Sequence, residues 1–368
     1  MKNKIFEDLF VLELANNHWG DVDRGKKIIN DFSKVIRFNN VKAAIKLQFR
    51  DVDHFIHKDF KDRDDIRYIK KTLATKMTES QYAELVDEIR KAGCITMSTP
   101  FDEKSVDTCV NLGIQIIKIA SSDINDWVLI EKIAKTRKPV IVSTGGSSLK
   151  DIDDLVTFFE NRNIPLAINH CISKYPSEKS ELEVNQIDFL KNRYPGHVIG
   201  FSTHEFNDNI EIPMYIAYAK GARTFERHID IDYNNVPVSP YCSKPEDLDR
   251  WIKAYHKAKE ICGAPASYKK IADIKETLYL DALVRGVYAK QDFKAGDILH
   301  DENVYLAIPL QKGQISCREL MRGEVLLRDI KKDEPIKIDD IDSPYAFDEG
   351  LKKKIYERGL EVERKVND

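Results

Sequence analysis

Between residues 8 and 229 the chain repeats one phrase: a short apolar run, then a longer amphipathic segment. The apolar runs are 9–12, 43–47, 94–97, 114–119, 140–142, 166–168, 198–201 and 222–225, eight in all. Helical periodicity fills most of the intervals, at 24–38, 79–92, 104–112, 128–135, 149–160 and 209–219, and a last helix fits 245–262. Buried strands alternating with helices predict a parallel sheet, and eight such units predict a closed (β/α)₈ TIM barrel spanning residues 1–262. An open doubly wound sheet is the competing architecture. It lacks support, because no G-x-G-x-x-G follows the first run.

The pattern breaks twice. Residues 51–78 are polar and charge-mixed and make a long connection after the second strand. On a barrel such a connection lies on the active-site face, so it reads as a lid, a subunit contact or a plain solvated insertion. Residues 263–281 read as a linker, and from 282 the segments become short and turn-rich. There Phe293-Lys294-Ala295-Gly296-Asp297-Ile298 is echoed by Ile330-Lys331-Lys332-Asp333-Glu334-Pro335-Ile336. A small pseudo-symmetric β domain over 282–344 is predicted. Residues 345–368 form a charged tail, either a solvated helix with i,i+4 pairs or partly disordered.

Charge and hydropathy exclude some partners. The formal net charge of −3 gives no electrostatic reason to expect nucleic acid or an anionic membrane. No apolar stretch approaches the roughly 20 residues of a membrane span. The first residues lack a signal-peptide core, and the six cysteines show no C-x-x-C spacing, so free thiols and the cytoplasm are expected.

Polar residues just past each apolar run should converge on one face of a barrel. They are Glu13, Asn16 and His18; Lys46 and Gln48; Ser98 and Thr99; Lys118, Ser121 and Asp123; Ser143; His170 and Ser173; Ser202 and His204; Glu226 and His228. A lone histidine is usually a hydrogen-bonded structural residue, and a lone lysine usually snorkels. The weight lies in every strand contributing. Lys46 and Lys118 are each embedded in apolar sequence, where a charge is expensive unless paired. A bound anion is the expected partner, and a buried pair with Glu13 or Glu226 is the alternative. The turn S-T-G-G-S, 143–147, offers hydroxyls and backbone N–H groups to an anion. His204 and His228 end their segments alike and could together hold a divalent metal.

Several runs in order carry a resemblance. They are E-L-A-N-N-H-W-G (13–20), I-K-L-Q (45–48), S-T-P-F (98–101), K-I-A-S-S-D (118–123), S-T-G (143–145), H-C-x-x-x-Y-P (170–176), I-G-F-S-x-H (199–204) and E-R-H (226–228). Together they resemble the sialic acid synthase family, and R-G-V-Y-A-K-Q-D-F-K-A-G-D-I-L (285–299) resembles its antifreeze-like SAF domain. The resemblance implies condensation of phosphoenolpyruvate with an amino-sugar aldehyde. It implies that His204 and His228 hold Mn²⁺ or Mg²⁺. Lys46, Thr99, Lys118, Ser121, Ser143 and Ser202 then meet phosphoenolpyruvate, with Ser173 where the family often has asparagine. Glu13, Gln48, Asp123 and Tyr175 fall on the acceptor side, with Glu13 or Asp123 moving a proton. A homodimer whose SAF domains are swapped between barrels is also implied.

Two positions depart from the family pattern. Ser239 stands where sialic-acid members carry an aspartate, and Ile308 precedes Pro309 where an arginine is usual, though Lys312, Arg318 and Arg322 are near in sequence. An acceptor other than N-acetylmannosamine is therefore expected. The alternatives are another aldose, including a phosphorylated one, or a non-catalytic scaffold.

Overall fold

The computed structural model describes residues 4–63, 65–265, 267–319 and 323–361. Eight parallel strands close into a barrel in sequence order: β1 (Leu9–Ala15), β2 (Lys42–Phe49), β3 (Ile95–Pro100), β4 (Ile116–Ile119), β5 (Val140–Ser143), β6 (Leu166–Cys171), β7 (Val198–Thr203) and β8 (Thr224–His228). β1 closes the ring by pairing with both β2 and β8, which sets Glu13 opposite Lys46 on one side and His228 on the other. The expected (β/α)₈ architecture is the observed one.

Side chains on a strand alternate between faces, so each apolar run serves two cores. One set packs outward under the helices and includes Phe10, Leu12, Ile45, Leu47, Ile117, Ile119, Val140, Val142, Leu166 and Ile168. The other set packs inside the ring as a plug: Leu9, Val11, Ala44, Met97, Ile116, Ile141 and Ala167, with Phe6 beneath. One step further along each strand, the inward positions turn polar. Several strands run beyond their apolar runs because ladder hydrogen bonds need only backbone; β3 extends through Thr99 and β8 through His228.

Local chemistry fixes the helices. Asp21 caps the helix Val22–Asn39 by accepting from the N–H groups of Asp23 and Arg24. Thr78 with Gln81, and Ser148 with Asp151, form reciprocal caps on Glu79–Lys91 and Leu149–Asn161. The long connection after β2 is not a plain loop: it holds the helices Val52–Phe55 and Arg67–Ala74, joined by a 3₁₀ turn, Lys58–Phe60.

The chain divides into two compact units, Met1–Gly263 and Ala264–Asp368. In the second unit β9 (Gly286–Ala289) pairs antiparallel with β10 (Val304–Ala307), and β11 (Val325–Leu326) with β12 (Ile341–Asp342). The two halves of the sequence repeat meet: Phe293 and Ile330 exchange backbone hydrogen bonds of 2.8 and 3.2 Å. Part of the segment read as a linker is the helix Ile274–Asp281, because Asp273 caps it at the N–H of Glu276 (2.9 Å). The tail is no solvated appendage where it is described. Its helix Glu349–Glu357 buries Ile355 in the second unit's core, and beyond it the Gly359 N–H donates to Asp281 Oδ2 (2.9 Å). Residues 362–368 lie outside the described residues.

Candidate functional site

Above the apolar plug lies a layer of charge. The Lys46 ammonium donates to Glu226 Oε1 (2.7 Å) and also contacts Glu13. Lys118 donates to Glu226 Oε2 (2.6 Å). Asn169 Nδ2 stands 3.4 Å from the same oxygen, and Thr224 holds Asn169 Oδ1 at 2.5 Å. All four charged groups are buried. The sequence offered the lysines an anion or a buried carboxylate as partner; within the chain they pair with Glu13 and Glu226. The pairing offsets the cost of burying the four charges. Burial pulls the Lys46 ammonium down to about 8, against the raising effect of Glu226. Burial alone would raise Glu226, but the charges of Lys118 and Lys46 outweigh it and hold the carboxyl well below its usual range.

Next to this layer sit the two histidines. The His204 and His228 ring centroids are 5.3 Å apart. His204 Nδ1 lies 3.1 Å from the Ile172 carbonyl, so Nδ1–H donates and Nε2 keeps its lone pair. Burial pushes His204 down to about 4 and His228 well below its ordinary value, with the neighbouring His204 adding to the shift in His228. Two neutral imidazoles side by side suit a divalent metal with two protein ligands and open positions for water or substrate. Among the described residues no cluster of three or more His, Cys, Asp or Glu stands in a ligating arrangement. Tyr175 packs 4.1 Å from His204, and Tyr241 packs 5.2 Å from His228, forming an aromatic wall. Behind them the fully buried pair Arg227–Glu205 (2.8 Å) ties together the two segments that carry the histidines.

A third group forms around the turn after β5. The Gly145 N–H donates to Ser121 Oγ (3.0 Å). A Cβ at 145 would meet Ser173 Oγ at 2.2 Å, Cys171 Sγ at 3.0 Å and Ser121 Oγ at 3.1 Å. Only glycine lets this backbone approach the hydroxyls so closely. Thr99, Ser143 and Ser202 are buried at the same ends of their strands, with Thr99 in register with Gln48, Ser143 with Asn169, and Ser202 with both Cys171 and Glu226.

On the remaining side Gln48 donates to Glu13 Oε1 (3.3 Å), and Arg50 donates to Gln48 Oε1 (3.0 Å). Asp123 Oδ2 is buried with no hydrogen-bond partner. Burial, with Asp126 adding, lifts the Asp123 carboxyl to about 6 despite opposition from Ser122 and Arg50.

The sequence-derived set therefore gathers at one mouth, with exceptions. His18 and His170 turn aside: His18 Nδ1 accepts from the Gly20 N–H (3.0 Å), and His170 Nε2 bonds the Leu182 carbonyl (2.7 Å). Ser239 lies in the loop after β8, where its carbonyl accepts from the Cys242 N–H (2.9 Å). In the second unit Ile308 is exposed and Lys312 pairs with Glu361 (2.6 Å); Arg322 lies outside the described residues. Asn169, Cys171 and Arg50 were not singled out from the sequence, and Glu226 entered only as an alternative partner for the lysines. Two-residue alternation carries the signal for them: 46, 48 and 50 share a face, as do 169 and 171, and 226 and 228.

Residues 39–267 match the NeuB family, and residues 284–342 match the SAF domain. A crystal structure of a candidate spore coat polysaccharide biosynthesis protein E from Chromobacterium violaceum superposes with a TM-score of 0.88 at 36% identity, covering 92% of this chain and all of that one. The N,N'-diacetyllegionaminic acid synthase of Campylobacter jejuni is 26% identical, over 89% of this chain and 98% of its own. The spore coat polysaccharide biosynthesis protein SpsE of Bacillus subtilis is 28% identical, over 91% and 94%.

Proposed function

Because the chain belongs to the NeuB family and is an enzyme of the sialic acid synthase type, we propose that it condenses phosphoenolpyruvate with an aldose to give a sialic-acid-type ulosonate and phosphate. The observation that carries the reading is the meeting, at one end of the barrel, of the Lys46–Glu226–Lys118 layer, the His204–His228 pair and the hydroxyls around Gly145.

Lys46 and Lys118, with Thr99, Ser121, Ser143, Ser173 and Ser202, hold the phosphate and carboxylate of phosphoenolpyruvate. Holding both anions fixes C3 toward the aldehyde, so much of the rate gain is orientation. His204 and His228 hold Mn²⁺ or Mg²⁺, which when bound supplies Lewis-acid polarisation of the aldehyde oxygen. The C2–C3 π pair forms the new bond to the aldehyde carbon, whose oxygen takes up a proton. Water adds at C2 and loses its proton. The C2–O bond to phosphate then breaks as the new hydroxyl passes its remaining proton to the departing phosphate and becomes the ketone oxygen, so phosphate leaves with the bridging oxygen. Glu13 is engaged with Lys46 and Gln48 and acts by orienting them. Asp123, with a free oxygen and a carboxyl near 6, takes the proton from water. Gln48 and Tyr175 border the acceptor. Ser239 and Ile308 set its identity away from plain N-acetylmannosamine, with the SAF unit completing a partner's barrel in a homodimer.

The test is phosphate release from phosphoenolpyruvate by the full chain with Mn²⁺ and a panel of aldoses. Aldose-dependent release, lost in His204→Ala and His228→Ala, supports the reading. No aldose-dependent release, or near-normal turnover of either variant after metal stripping, overturns it and favours a scaffold.

A further inference from the structure

β7 and β8 stop pairing one residue short of the two histidines. Their last rung joins Thr203 to Arg227. β6 and β7 part earlier still, at Cys171 and Ser202. His228 keeps a ladder neighbour on its other side, opposite Glu13 of β1. His204 lies beyond the end of β7, with its carbonyl accepting from the Ser177 N–H (3.2 Å). Strand pairing therefore does not set the spacing of the two imidazoles.

A buried side-chain network takes over where the ladder ends. Glu205 follows His204 in the chain, and Arg227 precedes His228. The Arg227 guanidinium donates to Ser243 Oγ (2.5 Å), Glu205 Oε1 (2.8 Å), the Glu205 carbonyl (2.9 Å) and Asn207 Oδ1 (3.0 Å). Ser243 gives its hydroxyl proton to Asn207 Oδ1 (2.9 Å), and its backbone N–H donates to the His228 carbonyl (2.8 Å). Two donors meeting at Asn207 Oδ1 fix which end of that amide faces Arg227. Nδ2 points the other way and donates to the carbonyls of Cys242 (2.8 Å) and Pro240 (3.2 Å). Between those two residues in the chain is Tyr241, whose ring packs on His228. Arg227, Glu205 and Ser243 are all buried. A buried ion pair adds little net stability over apolar groups of the same volume. What this one adds is geometry, because a planar fork matched to four oxygens holds the segments beside both histidines in one arrangement.

We infer that Arg227 and Asn207 are positioning residues: with Glu205 and Ser243 they set the spacing of His204 and His228 and seat Tyr241 against them, and so govern how a divalent cation is bound. The inference rests on the proposed metal role of the histidines, but it is read from binding rather than turnover. Groups that orient metal ligands from outside the coordination shell change metal affinity by about ten- to a hundredfold.

The experiment is titration of the metal-free full chain with Co²⁺, with affinity read by calorimetry and ligand geometry by visible absorption. The wild-type chain should bind Co²⁺ with a defined ligand-field spectrum. Asn207→Ala, at a half-buried position, should remain folded by circular dichroism, bind Co²⁺ at least about tenfold more weakly and alter that spectrum. Arg227→Lys should have the larger effect, because an ammonium cannot reach four oxygens in one plane. Should Arg227→Lys fail to fold, Asn207→Ala decides alone. A variant that melts lower but keeps the wild-type Co²⁺ affinity and spectrum has lost only a structural contact, and that result overturns the inference while leaving the metal role of the histidines standing. A wild-type chain that binds no Co²⁺ removes the metal role and the inference together.

Discussion

The lumen and the mouth of the barrel both hold cations, and they stabilise them differently. Lys46 and Lys118 sit on carboxylates that the fold supplies, whereas Arg50 and Lys71 lie against the aromatic rings of Phe101 and Trp19. The first arrangement is required for folding, because an unpaired charge in a closed lumen is too costly to keep. The second leaves two half-buried cations with no carboxylate at ion-pair distance among the described residues, which folding does not require. The difference separates residues whose loss harms stability from those whose loss should harm only recognition.

The largest expected effect bears on the histidines beside the lumen layer. His204→Ala or His228→Ala should bring aldose-dependent phosphate release to background while Mn²⁺ binding, followed by titration of the metal-free chain, is lost. Glu226→Gln tests the lumen charges directly. Lys118 loses its carboxylate there, and unfolding in denaturant should show a loss of about 3–5 kcal/mol. A loss below about 1 kcal/mol would place this layer in the same class as the mouth. Gly145→Ala drives a methyl against Ser173 and Ser121 and should raise the KM for phosphoenolpyruvate about tenfold, with little change in unfolding.

Asp123 gives a smaller, pH-dependent effect. Its carboxyl sits near 6, so it is protonated and unable to accept a proton below that value. The rate should therefore fall as pH drops through 6, and Asp123→Asn should abolish that limb along with most activity. Stability runs the other way. A carboxyl raised on folding adds stability below its unfolded value of about 4, and that stability fades as pH rises through 6. The asparagine variant should flatten the slope. The smallest effect belongs to the mouth: Arg50→Gln should shift unfolding by within about 0.5 kcal/mol. A shift as large as that of Glu226→Gln would erase the distinction between the two regions.

Much of this arrangement was legible in the sequence. The repeated phrase predicts the barrel because strands buried on both faces must be apolar, and the same phrase locates the polar ends. The ion pairs were not legible in the same way. Lys46 and Glu226 are 180 residues apart, and only closure of the ring through β1 brings them together. The aromatic seats of Arg50 and Lys71 escaped notice for a related reason. Phe101 and Trp19 lie in other βα connections, and the charge-mixed run that contains Lys71 reads equally as a lid, a subunit contact or a solvated insertion until its helix is placed. The docking of the tail was less legible, because its Lys/Glu alternation hides Ile355 and Leu351, which pack on the second unit's core.

The most direct test of the central claim is a crystal structure of the full chain soaked with phosphoenolpyruvate. The account predicts its phosphate and carboxylate among Lys46, Lys118, the Gly145 turn and the surrounding hydroxyls, with C3 facing His204 and His228 and Arg50 left free. Phosphoenolpyruvate bound across Arg50 and Lys71, with both lysines still locked to Glu13 and Glu226, would contradict it.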